Sequence, residues 1–352
     1  MSVRRQQIAS FRAEILANTP VGGPAASHYL LRFRAPEPIE ILPPQFLMMD
    51  TAPIAQETGP FLKRPFGIYR VVRPDQFDVL YKVLPDGAGT QQMTKLKRGD
   101  KVHMLAPLGR PLDGRQLRTA GIEQVHVIGG GVGMAPLIML VQALRYHGFS
   151  VKVFVGIAAL KSLRYRDELA ATFGEKPRDA LIYIDDLLAA GVKPGDLFIS
   201  CDTARPKPVR GIPRANLYHG LVPDQYRQHL LSGHPELSQV SQSLQENGKI
   251  LRAAQNDTMR KTIAITCGPN RMMEAMAGIC ALSGVPLKVL LEKRMGCGIG
   301  VCFSCVQKVR RVGGAEDYAR VCTEGPLFDA KDIVWNNNSK QPSANSGCAA
   351  RC

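Results

Sequence analysis

The sequence predicts a small antiparallel β-barrel, then a parallel α/β domain, then a compact cysteine-rich C-terminal domain. Three observations predict this. Residues 1–118 are short apolar runs separated by clusters such as Ala35-Pro36-Glu37-Pro38 and Pro85-Asp86-Gly87-Ala88-Gly89, the punctuation of a barrel or sandwich. From Gly121 onward, apolar strands alternate with helical stretches, as they must when crossover helices join parallel strands. Four of the nine cysteines then fall between residues 297 and 322.

Taken in order, 28–34, 66–72 and 77–84 read as barrel strands. The apolar run 125–128 reads as the first parallel strand, 136–146 as its helix and 151–157 as the second strand. A helical stretch over 166–172 and strands at 181–184 and 196–200 continue the pattern. Residues 203–260 lose it. A basic, proline-rich stretch at 205–213 gives way to Gln and Ser over 237–245, so an insertion with some helix is expected there. Order returns with a strand at 262–266, a helix running to Leu282 and the last strand of the sheet at 285–291. The expected domains are 1–118, 119–292 with the insertion at about 203–260, 293–335, and a low-complexity tail at 336–352.

Composition narrows the function. At 45% hydrophobic and 21% charged, the 352 residues are ample for a buried core. The net charge is +15, yet basic residues are scattered and aromatics make up only 6%, which argues against a nucleic-acid partner. Anionic cofactors would offset part of that charge. The uncharged run 124–144 is broken by Gly129, Gly130, Gly131, Gly133 and Pro136, whereas a spanning helix needs about 20 predominantly apolar residues. With no signal-peptide pattern at the start, a cytoplasmic protein without a membrane partner is expected. No G-x-S-x-G elbow and no histidine pair at metal spacing occur among the seven histidines, so hydrolase and zinc-enzyme readings have no support and no catalytic acid or base stands out.

The strongest chemical signal is Met295-Gly-Cys-Gly-Ile-Gly-Val-Cys-Phe-Ser-Cys, followed by Val321-Cys322-Thr323. Cys297, Cys302 and Cys305 are spaced C-x4-C-x2-C, and sixteen residues separate Cys305 from Cys322. Plant-type [2Fe–2S] clusters use this spacing with a distant fourth cysteine. Gly296, Gly298 and Gly300 let the loop wrap a cluster without Cβ clashes and leave N–H groups free for its sulfurs. Structural zinc, which usually pairs two short knuckles, and free thiols are the alternatives; one short knuckle is present. Cys201, Cys267 and Cys280 read as core residues.

Two weaker signals follow. In Val125-His-Val-Ile-Gly-Gly-Gly-Val-Gly-Met-Ala-Pro-Leu a glycine-rich turn joins a strand to a helix, a geometry suited to a pyrophosphate and equally to packing. Cys267-Gly268-Pro269 marks the end of a later strand, where ligands of open sheets lie. Lys63-Arg64-Pro65-Phe66-Gly67, Leu80-Tyr81-Lys82 and Gly89-Thr90 are ordinary barrel residues in isolation.

Their order along the chain resembles the ferredoxin–NADP reductase superfamily. Together with Val321-Cys-Thr-Glu-Gly-Pro-Leu-Phe328, it resembles the electron-transfer subunits of NAD-linked dihydroorotate dehydrogenase over about residues 10–200 and 260–335. The resemblance implies a ferredoxin-reductase-like FAD-binding barrel, a parallel-sheet nucleotide-binding domain and a small C-terminal [2Fe–2S] domain. It implies that Arg64 contacts the FAD pyrophosphate, and that Pro65, Phe66, Gly67, Leu80, Tyr81 and Lys82 line the isoalloxazine. Gly89 and Thr90 would meet the phosphates. Gly129, Gly130, Gly131, Gly133, Pro136, Cys267, Gly268 and Pro269 would form the cleft for NAD or NADP. Cys297, Cys302, Cys305 and Cys322 would ligate the cluster. The implied activity passes electrons from a dihydroorotate-oxidising catalytic partner, in a heterotetramer, through the cluster and FAD to NAD+.

Gly67 stands where the family usually has serine. Ser200-Cys201-Asp202-Thr203 replaces its D-D-G-S, which leaves NAD against NADP open. Two other functions are compatible with these motifs: an NAD(P)H reductase subunit linked to ferredoxin or sulfide, and a flavin-free redox sensor or scaffold.

Overall fold

A computed structural model describes residues 8–21, 28–55, 60–158, 181–204, 206–209, 211–232 and 257–335. The expected helix over 166–172 and the tail at 336–352 lie outside the described residues.

The first seven strands are β1 (Ala9–Val21), β2 (His28–Arg34), β3 (Phe46–Met49), β4 (Arg64–Gly67), β5 (Arg70–Arg73), β6 (Gln76–Lys82) and β7 (Lys101–Leu108). They form one antiparallel sheet in the order β4-β3-β7-β1-β2-β6-β5. Its inner face carries Leu31, Phe33, Leu47, Phe77, Val79 and Met104, because alternate residues of a strand share a face. Phe33 and Phe77 are direct cross-strand partners with ring centroids 5.5 Å apart. Helix α1 (Ala88–Met93) is tied to β1 by the Asn18 side-chain amide, which donates to the carbonyls of Met93 (2.7 Å) and Leu96 (3.1 Å). Helix α2 (Gly114–Thr119), capped by the Asp113 carboxylate on Arg115 N–H, leads into the second domain.

That domain is built on β8 (Gln124–Gly130), α3 (Ala135–Tyr146), β9 (Ser150–Ile157), α4 (Ile184–Ala189), β10 (Leu197–Cys201), β11 (Leu217–His219), α5 (Val222–Leu231), α6 (Asp257–Arg260), β12 (Thr262–Cys267), α7 (Asn270–Ser283) and β13 (Leu287–Leu290). Its six strands are parallel in the order β11-β10-β9-β8-β12-β13. Both faces are covered, so neighbouring residues of one strand enter opposite cores. Val153 and Val155 pack beneath α3, while Phe154 packs with Tyr226 of α5 and Met273 of α7.

The sheet differs from the sequence expectation in three places. Residues 181–184 were expected as a strand, but Leu181 makes a single bridge and Tyr183 takes a φ of +68°, which breaks the extended run before α4. The stretch 203–260, expected as an insertion, supplies edge strand β11 and helix α5, whose Val222, Tyr226 and Leu230 join the core. Its low apolar content hid this, because α5 buries only one face; residues 233–256 lie outside the described residues. Finally, β13 is not the edge of the sheet. After the hairpin β14 (Val306–Arg310) and β15 (Glu316–Arg320) and the short helix α8 (Val321–Glu324), strand β16 (Leu327–Asp329) returns and pairs antiparallel with β13.

A buried ion network joins barrel to sheet. Asp78 on β6 is fully buried and accepts from Arg32 (2.7 and 2.9 Å) and from Arg70 (2.6 Å). Arg70 also reaches Asp186 of α4 at 3.4 Å, and the Tyr69 hydroxyl donates to the same carboxylate. Asp78→Ala should leave two guanidinium groups without their shared buried partner and cost about 3–5 kcal/mol. Urea denaturation of the purified variant measures it, and a loss below 1 kcal/mol would show the network to be solvated.

Candidate functional site

The nine residues expected at the flavin site and Pro136 of the expected nucleotide cleft meet in one cavity of about 820 Å³ between barrel and sheet. These are Arg64, Pro65, Phe66, Gly67, Leu80, Tyr81, Lys82, Gly89, Thr90 and Pro136. Strand β4 supplies the first four and β6 the next three, and the loop before α1 closes one end. Tyr81 is fixed on three sides: it stacks on Tyr29 at 5.5 Å, meets Phe66 edge-on at 6.3 Å and donates to Asn18 Oδ1 at 3.2 Å. Burial raises the pKa of this phenol above its ordinary value, so it remains a donor at neutral pH. The Thr90 hydroxyl accepts from Leu84 N–H and donates to the Gly87 carbonyl, both at 3.1 Å, which locks the loop. Gly89, in the first turn of α1, lies in ordinary contact range of Arg64, since a Cβ there would stand 3.4 Å from Arg64 Nε.

The remaining nucleotide-cleft residues gather beside the cavity rather than in it. Gly129 and Gly130 end β8, and a 3₁₀ turn over Gly131–Met134 enters α3. A Cβ on Gly133 would fall 2.7 Å from Gly268 Cα and 2.8 Å from the Cys267 carbonyl, and one on Gly130 would meet Pro269 at 3.1 Å. Here glycine serves the close approach of two backbone segments. Gly131 instead has φ +56° and open space around it, which suits a left-handed turn at the ligand side. At Gly67, where the family usually has serine, a Cβ would sit 2.6 Å from Pro136 Cβ.

The cavity lining also contains a group that sequence reasoning missed. Glu292 lines the cavity just past β13, flanked by Leu291, Lys293, Arg294 and Met295. Its side chain is exposed to the open cavity, and the surrounding walls partly desolvate the carboxyl and raise its pKa above the ordinary glutamate value. Burial, and secondarily the Glu292 charge, keeps the Cys267 thiol protonated. Glu292 stands at the carboxyl end of a parallel strand, which is where open sheets place ligands; that position was the available signal.

The four motif cysteines form two pairs. Cys302 lies within hydrogen-bonding reach of Cys297, and Cys322 of Cys305, while the Cys322 N–H points to Cys305 Sγ at 3.5 Å. Two thiolates per iron is the donor arrangement of a [2Fe–2S] cluster, so the residues fit that group. The Ser304 hydroxyl, 3.1 Å from Cys302 Sγ, draws that thiol down to about 6, and Gly300 N–H points at Cys322. Gly298 and Gly300 take φ of +73° and +87°. Close packing also needs Gly298, since a Cβ there would run into Met48 and Leu108 of the barrel. Cavity and cysteines therefore share walls. Met295 and Pro326 line the cavity, and Met48 is the cross-strand partner of Pro65.

Comparison with known proteins agrees with this arrangement. Residues 292–334 match the iron–sulfur cluster binding domain of dihydroorotate dehydrogenase B. The chain is 29% identical to the dihydroorotate dehydrogenase B (NAD(+)) electron transfer subunit of Desulforamulus reducens over 327 residues, covering 92% of this chain and 98% of that protein. The corresponding subunit of Geobacillus thermodenitrificans is 26% identical over 284 residues, 80% of this chain and 83% of that protein. Among solved structures, an NADH-dependent reduced ferredoxin–NADP oxidoreductase superposes with a TM-score of 0.60 at 18% identity, over 92% of this chain and 89% of that one. A ferredoxin NADP+ reductase from Neisseria gonorrhoeae with bound FAD and NADP gives 0.50 at 15% identity, over 78% of this chain and 92% of that one. The fold is ferredoxin-reductase-like. No helix among the described residues is long and apolar enough to cross a membrane.

Gly133→Ala should force the turn away from residues 267–268 and cost about 1–3 kcal/mol. Thermal denaturation and NADH titration read the effect, and unchanged values in both would mean that the two segments are not packed as described.

Proposed function

We propose that this chain, a ferredoxin-reductase-fold relative of the dihydroorotate dehydrogenase B electron transfer subunits, carries electrons from a dihydroorotate-oxidising partner through a [2Fe–2S] cluster and FAD to NAD+. The observation that carries the reading is the shared wall between the cavity and the cysteine quartet. Met295 lines the cavity and Gly298, three residues on, packs against Met48 of barrel strand β3, so two redox groups held there would be neighbours. A cluster moves one electron at a time, and FAD joins such steps to hydride transfer.

The chain's own residues supply binding and orientation. Arg64, with Gly89 and Thr90, would hold the FAD diphosphate, while Pro65, Phe66, Gly67, Leu80, Tyr81 and Lys82 would enclose the ring. Gly129, Gly130, Gly131, Gly133, Pro136, Cys267, Gly268 and Pro269 would form the floor of the nicotinamide cleft. Cys297, Cys302, Cys305 and Cys322 would hold the irons. Glu292, on the cavity lining with its pKa raised, would supply a proton when a flavin bound there is reduced. At the cluster end Ile299, Val301 and Phe303 are 47%, 70% and 59% exposed beside the exposed Cys302, an apolar face for the catalytic partner. Thiolate-held clusters call for a reducing compartment, so a cytoplasmic location belongs to the same proposal.

Cys322→Ser should abolish dihydroorotate-driven NAD+ reduction in the complex with the partner while leaving NADH able to bleach the flavin. Iron and sulfide analysis accompanies the assay. Partner-linked turnover at the wild-type rate would remove Cys322 from the ligand set. For Glu292, the protonated form is lost as pH rises through its raised pKa. Flavin reduction by the partner should therefore slow with rising pH in the wild type, and Glu292→Gln should flatten that limb. An identical pH profile in both proteins would exclude the carboxyl as the proton source.

A further inference from the structure

The buried hydroxyl of Thr323 has no hydrogen-bond partner among the described residues. It directly follows Cys322 in α8, and a buried hydroxyl without a partner costs stability unless something absent from the protein atoms satisfies it. Its surroundings restrict what that is. The Thr323 carbonyl is taken by Arg110 Nε at 3.1 Å, which fixes the backbone. The side chain packs on the cluster loop, where a Cβ built on Gly300 would lie 2.9 Å from Thr323 Cγ2 and 3.2 Å from its Oγ1. Neighbouring carbonyls each already accept a hydrogen bond and none accepts from Thr323. That of Gly300 accepts from Arg320 at 3.1 Å, and that of Val321 from Gly325 N–H at 3.2 Å. Nor does the hydroxyl bond back along its own helix, as threonine often does. The group it packs against is Gly300, whose N–H points at Cys322, so the hydroxyl stands beside the sulfur shell that the cysteines would form.

We propose that the Thr323 hydroxyl donates a hydrogen bond to the sulfur shell of the cluster and so raises its reduction potential. The inference rests on the four-cysteine ligand set proposed above. One-electron reduction adds negative charge to the sulfurs, so a donor aimed at them stabilises the reduced state more than the oxidised one. Thr323 is thus a tuning group: it sets how readily the cluster takes an electron from the partner and how strongly it passes that electron on.

The test is a potentiometric titration of the full-length holoprotein followed by electron paramagnetic resonance, with iron and sulfide measured on the same samples. Thr323→Val keeps the shape and removes the donor. It should lower the one-electron reduction equilibrium up to about tenfold, the worth of one hydrogen bond, which is about 59 mV for a one-electron couple. Thr323→Ser restores the hydroxyl and should return the potential to near the wild-type value. Thr323→Ala gives the same reading as valine without placing a second methyl against Gly300. Full iron content with an unchanged potential in the Val and Ala variants would overturn the proposal. A wild-type chain that assembles no iron or sulfide would overturn the ligand assignment, and this proposal with it.

Discussion

Everything around the cavity depends on how closely Pro136 sits on Gly67. A Cβ at residue 67 would lie 2.6 Å from the proline ring, well inside van der Waals contact. This contact joins β4 of the barrel to the first turn of α3, and so fixes where the glycine-rich turn stands relative to the barrel wall of the cavity. The serine usual in the family would not fit here without moving α3. In this chain a bare backbone stands at that point, and the cavity's acidic groups are Asp86 and Glu292.

The same device recurs at the other two junctions. Gly133 lets the turn rest on the backbone of residues 267–268, and Gly298 lets the cluster loop rest on Met48. Strand β16 completes the assembly. Its pairing with β13 (Lys288 with Asp329, Val289 with Phe328, Leu290 with Leu327) makes the cysteine-rich segment part of the main sheet rather than an appended knot. Leu291 N–H donates to the Pro326 carbonyl at 2.9 Å and Arg110 N–H to that of Gly325 at 2.7 Å. Barrel, sheet and cluster loop are therefore held by backbone hydrogen bonds, which do not depend on long, mobile side chains. Electron transfer benefits from such fixed spacing between redox groups.

Local pattern made much of the site legible. The C-x4-C-x2-C loop and the glycine-rich strand–helix turn each carry their chemistry within a dozen residues, and the turn is found on the element expected of it. The expected strand 66–72, by contrast, divides into β4 and β5 at opposite edges of the barrel sheet. The parts that were not legible share one physical cause: their partners are distant in sequence. Strand β11 has three residues and helix α5 one apolar face, so neither is recognisable until Phe154 and Met273 are seen beneath them. Asp78 and Asp186 are ordinary acids in the sequence and become a junction only where Arg32, Arg70 and Tyr69 converge on them.

The sequence by itself determined the inventory: a barrel, a parallel sheet and four cysteines at a cluster spacing, because helical and strand periodicity and motif spacing are local properties. Tertiary structure alone decided the adjacency. It placed the cysteine loop against the wall of the cavity between barrel and sheet, brought Glu292 into the lining of that cavity, left the Thr323 hydroxyl against the loop, and turned an apparent insertion into the edge of the sheet. Each of these depends on which backbones can approach within a few ångströms, and that is settled by packing across the whole chain.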